Sequence, residues 1–90
     1  MNASRMERMR ELMHAALSPE SLDVRDDSAL HADHAGARDG AGHFAVRIVA
    51  AAFAGQPMIK RHRLVYESLA SMMPREIHAL SIDARAPGEP

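Results

Sequence analysis

The chain is 90 residues long, carries a formal net charge of −1, and is 47% hydrophobic and 26% charged, with neither cysteine nor tryptophan. A length of this order suits a single domain, residues 1–90, with one modest core. The missing cysteine excludes disulfides, thiolate nucleophiles and metal sites built on the chain's own thiolates, and the balanced charge excludes a global cationic field for nucleic acid.

The first element to emerge is an amphipathic helix. Ser4 followed by Glu7 is a capping-box spacing. Met6, Met9, Met13, Ala16 and Leu17 then recur at three- and four-residue steps, which places them on one stripe. Pro19 stops the helix near Leu17 or Ser18.

Leu22 and Val24 alternate with Asp23 and Arg25, the pattern of a short half-buried strand. From Asp26 to Gly42 no period survives among Asp, Ala, Gly, Ser and His, so a long loop is expected, of the kind that often carries function. Phe44, Val46 and Ile48 then share one face of a second strand, giving an antiparallel hairpin with the first.

After Gly55-Gln56-Pro57 a second helix begins, with Ile59, His62, Val65, Leu69 and Met72 as its apolar stripe and Lys60, Arg61 and Arg63 beside it. Pro74 closes it, residues 77–82 form a third strand, and a flexible tail is expected at about residues 85–90. This order predicts an α+β domain with helices packed on one face of a three-stranded sheet.

No segment is long and apolar enough to span a membrane as a helix, and residues 1–7 lack a secretory signal's apolar stretch. The expected setting is cytoplasmic, with no membrane partner. No phosphate loop, nucleophile elbow or catalytic pair occurs, so the chain does not read as an enzyme.

Six histidines stand out. His14 reads as surface, and His43 and His78 as packed or locally hydrogen-bonded strand residues. His31 and His34 share the long loop at a spacing that suits a metal, since neutral imidazole is a common ligand. His62, within Lys60-Arg61-His62-Arg63, occupies a helix position where the stripe calls for a hydrophobe. It is either a hydrogen-bonded helix histidine or an imidazole offered to a metal or an anionic partner.

Taken in order, these segments resemble the BolA family over nearly the whole chain. The resemblance rests on Leu22-Asp23-Val24, Asp27-Ser28, His31-Ala32-Asp33-His34-Ala35-Gly36 and His43-Phe44. It continues through Phe53-Ala54-Gly55, Arg61-His62-Arg63-Leu64-Val65-Tyr66 and Ile77-His78-Ala79-Leu80-Ser81-Ile82. It implies a fold like the class II KH domain. It also implies a role in iron–sulfur cluster trafficking or iron sensing, through a [2Fe–2S]-bridged heterodimer with a monothiol glutaredoxin. The glutaredoxin and a bound glutathione supply thiolates in such a pair. This chain would supply His62 and a loop histidine, His31 ahead of His34, so the cluster is not held by this chain alone.

Exchanging thiolate for imidazole on one iron raises a cluster's potential. Gly42 departs from the family pattern, in which threonine or serine commonly precedes the His-Phe pair. The alternative function is a nucleic-acid-binding transcriptional regulator, with Lys60, Arg61, Arg63 and Tyr66 as contacts to DNA or a partner. Against it, Gly55-Gln56-Pro57-Met58 lacks the second glycine of a KH backbone clamp. A stand-alone zinc or copper site on His31, His34 and His62 ranks last, and a homodimer through a sheet edge or the Met-rich helix stays open.

Overall fold

A computed structural model describes residues 2–28 and 42–90. Helix α1 (Asn2–Leu17) leads into strand β1 (Ser21–Asp26), and strand β2 (Gly42–Val49) follows. A short 3-10 turn at Ala51–Phe53 precedes helix α2 (Met58–Ser68), a second such turn spans Ala70–Met72, and strand β3 (Ile77–Arg85) comes last.

The methionine stripe builds α1 as its spacing requires: Met9, Met13 and Leu17, one turn apart, are buried, and Met6 and Leu12 pack partly against the same core. Two details differ from the sequence expectation. Ala16 is exposed, because the buried row follows the four-residue step through Leu17. Ser4 lies inside the helix, which already begins at Asn2, so Ser4 and Glu7 form no capping box at its start.

The sheet has the order β1-β2-β3. β1 and β2 pair antiparallel from Ser21↔Val49 to Asp26↔Phe44. β2 and β3 run parallel, with a register shift between Gly42 and His43, then in step from His43↔Ala79 to Val49↔Arg85. The parallel pair follows from the crossover through α2, since parallel neighbours need a long connection.

Val24, Phe44, Val46, Ile48 and Ala84 alternate onto the buried face beneath both helices. The opposite face carries Asp23, Arg25, Ala45, Arg47, Ser81 and Asp83 around a shallow depression of about 250 Å³. This is the α+β arrangement expected from the sequence, with β3 continuing past Ile82 to Arg85.

Helix α2 corrects the sequence reading most. Its buried row runs through Arg61 and Val65 and continues beyond its end to Leu69 and Met72, not through Ile59, which is 71% exposed. A charged residue therefore sits where the core begins, held by the C-terminal segment. Arg61 donates to Glu89 through Nη1 (2.6 Å) and Nη2 (2.8 Å). Ala86 is buried as well. The end expected to be flexible at about 85–90 is thus tied to α2 by a bidentate ion pair.

Candidate functional site

The two strand histidines meet. The register shift at Gly42/His43 sets Ile77 opposite Gly42 and Ala79 opposite His43, leaving His78 at the irregularity. The His43 and His78 rings lie 5.3 Å apart between centroids, tilted by 49°. His43 is buried at 7% exposure, whereas His78 is open to solvent. A cavity of about 190 Å³, lined by Asp27, His43, Phe44, Ala79, Leu80 and Ser81, adjoins the pair.

Local hydrogen bonds fix this corner. Asp26 Oδ1 accepts the Ser28 N–H (2.9 Å), Ser28 Oγ accepts the His43 N–H (3.1 Å), and the His43 carbonyl accepts the Asp27 N–H (2.7 Å). Arg25 clasps Asp27 through Nε (2.7 Å) and Nη2 (3.0 Å). On the other side the Gly42 N–H donates to the Glu76 carbonyl, and Glu76 is held by Arg8. Small residues permit the corner: a side-chain carbon on Gly42 would overlap the Phe44 ring.

Ser28 and Gly42 are the described residues on either side of residues 29–41, so the segment holding His31 and His34 is rooted at the His43–His78 corner. His31 and His34 themselves lie outside the described residues. His62, the helix candidate, is half-buried on α2 next to Arg61, whose Nη1 donates to the Ala84 carbonyl. Ala84 pairs with Ile48, five residues along β2 from His43, or about 16 Å at strand rise. The Arg61 contact on β3 therefore lies most of the sheet's length from the corner.

Lys60, Arg63 and Tyr66 are exposed on α2 as expected, and Met58 and Ile59 join them. Arg61 differs from the sequence expectation: it is buried and bonded to Glu89, not exposed beside them. The pairing of His43 with His78 escaped sequence reasoning because the residues are distant in the chain. Parallel pairing across the α2 crossover is the signal that could have found it.

Chemically, the solvent-open His78 imidazole offers a borderline nitrogen donor at the sheet corner, while His43 Nε2 is buried. Among the described residues no group of three or more His, Asp or Glu converges as a metal cage. A [2Fe–2S] cluster takes four ligands, so the imidazoles among the described residues suit a share of such a cluster.

Comparison with known proteins agrees with this architecture. A family model described as "BolA-like protein" matches residues 13–89. The SufE-like protein 1 of Arabidopsis thaliana, labelled chloroplastic/mitochondrial, is 45% identical over 96% of this chain, which covers 24% of that protein. Protein BOLA1 of the same plant, labelled chloroplastic, is 43% identical over 96% of this chain and 56% of its own length. The chain thus spans under two thirds of either relative.

Among solved structures, the BolA domain of SufE1 from Arabidopsis thaliana superposes with a TM-score of 0.84 at 44% identity, covering 97% of this chain and 96% of that one. The solution structure of mouse BolA1 gives 0.74 at 40% identity, over 90% and 63%. By the extent of the family match and the identity of these relatives, the chain belongs to the BolA-like protein family.

Proposed function

We propose that the chain is a non-enzymatic accessory factor in iron–sulfur cluster trafficking or iron sensing. Its cargo is a [2Fe–2S] cluster shared with a monothiol glutaredoxin and glutathione, in the cytoplasm. With no cysteine of its own, this chain contributes imidazole to that cluster. The observation that carries the reading is the His43–His78 corner, where a solvent-open imidazole stands at the root of the segment bearing His31 and His34.

Two thiolates from the partner side leave two ligand positions for this chain. One loop histidine, His31 ahead of His34, fills the first. For the second, sequence resemblance nominates His62; we favour His78, because it stands beside Gly42, where residues 29–41 rejoin the described structure. His43 is buried beside it, the two rings 5.3 Å apart between centroids. The SufE-like name of one relative supports an iron–sulfur setting. The nucleic-acid reading retains only Lys60 and Arg63 of the α2 cations, since Arg61 is buried and paired.

The test is a visible absorption and circular dichroism titration of a cluster-loaded monothiol glutaredoxin with wild type, His31→Ala, His34→Ala, His62→Ala and His78→Ala. The expected result is a new one-to-one spectrum that is lost with His78→Ala, altered by a single loop variant, and retained with His62→Ala. Loss with His62→Ala alone returns the ligand to α2. Spectra matching glutaredoxin alone for every protein reject the cluster role.

A further inference from the structure

The ion pair between Arg61 and Glu89 is unequal in a way that suggests a receptor and its occupant. The Arg61 side chain is 8% exposed and Glu89 is 39% exposed. Arg61 is fixed independently of Glu89: Nε donates to the Gln56 carbonyl (2.8 Å) and Nη1 to the Ala84 carbonyl (3.2 Å). These carbonyls belong to the turn before α2 and to β3, so the guanidinium is clamped from two sides of the fold.

Glu89 instead sits on a short turn. Its own N–H donates to the Ala86 carbonyl, and Gly88 supplies the positive φ of +85° that the turn needs. The carboxylate receives three donors: both Nη groups of Arg61, and the Ala86 N–H on Oε1 (3.0 Å). A planar two-point guanidinium contact plus a backbone N–H is a general oxyanion-binding arrangement.

We propose that Arg61 and the Ala86 N–H form a built oxyanion receptor at the base of α2, filled in cis by Glu89. An external carboxylate or phosphate group enters it when the Glu89 turn is displaced. The buried, doubly clamped arginine keeps its charge and orientation when Glu89 leaves, and an uncompensated buried charge strongly favours a replacement anion. An acidic group on another macromolecule would thereby be exchanged for Glu89, coupling its arrival to release of residues 86–90 from α2. This site uses neither the histidines nor a cluster and stands apart from the function proposed above.

Chemical rescue tests it. Glu89→Ala should lower the thermal midpoint, and sodium acetate or inorganic phosphate should restore it beyond sodium chloride at matched ionic strength. At about 100 mM anion and a Kd of about 10 mM, the folded-to-unfolded ratio rises about tenfold. The double variant Arg61→Gln/Glu89→Ala should show no such anion-specific rise, which separates binding from general salting effects.

A response to acetate identifies a carboxylate receptor, and a response to phosphate alone identifies a phosphoryl receptor. Equal effects of chloride, or equal rescue of the double variant, overturn the proposal. If Glu89→Ala does not fold, Glu89→Gln serves: the Arg61 Nε–H resonance must shift on adding either anion, and an unmoved resonance overturns the proposal equally.

Discussion

Replacing Gly42 by alanine sets two opposing effects against each other. Gly42 is buried, and its φ is not in the positive region, so alanine adopts the backbone without strain. The loss of unfolded-chain entropy would then stabilise the protein by about 0.4–1 kcal/mol. The added carbon, however, falls within the envelope of Phe44 Cε2, Cζ and Cδ2, the farthest of them at 3.0 Å. Phe44 is 2% exposed and part of the core, so its ring has no free space to swing into.

Overpacking of this kind costs about 1–3 kcal/mol, which exceeds the entropic gain and leaves a net loss of about 1 kcal/mol. For a chain of this size that lowers Tm by about 4–8 °C. Threonine, with two further heavy atoms, costs more. Urea unfolding followed by far-UV circular dichroism measures the change. A cycle with Phe44→Leu isolates its cause, because the penalty of Gly42→Ala should shrink by about 1 kcal/mol once the ring is gone. An alanine variant as stable as wild type, or one equally destabilised with and without the ring, refutes the reasoning.

Two further outcomes follow from the same packing. Arg61, together with the Ala86 N–H, pulls the Glu89 carboxyl down to about 2 from an ordinary 4.5. Its stabilising contribution is therefore complete above pH 4.5 and lost as pH falls from there towards 2. In urea midpoints against pH, wild type should exceed Glu89→Gln above pH 4.5 and converge on it near pH 2; parallel curves contradict this. Asp83, lowered by Arg85, leaves a residual acid slope in both proteins. On α1, Met13→Ala should cost about 2–5 kcal/mol, while Ala16→Ser stays within about 0.5 kcal/mol in chemical denaturation. Equal costs at the two positions would contradict the four-residue buried row.

Much of the fold was legible because its signals are local. Phe44, Val46 and Ile48 alternate, and Met9 and Met13 repeat at a helical step, so short windows suffice to place β2 and α1. The start of α1 was misread because a Ser–Glu spacing also occurs within helices. Arg61 was misread for a different reason: the carboxylate that makes its burial tolerable lies 28 residues away, in a segment whose Pro and Gly content resembles a loose end.

The candidate site divides in the same way. The histidines are visible as residues, but which of them meet is set by the parallel pairing of β2 with β3 and by the register shift beside His43. Sequence spacing therefore drew attention to His62, whereas His43 and His78 are the pair that tertiary structure brings together.

The most direct test of the central claim is nitrogen hyperfine spectroscopy on the reduced heterodimeric cluster, prepared with this chain carrying ¹⁵N-labelled histidine and an unlabelled glutaredoxin. The account predicts strong ¹⁵N coupling from directly bound imidazole, lost together with the heterodimeric cluster in His78→Ala and kept in His62→Ala. A cluster spectrum with no ¹⁵N coupling from this chain would contradict it.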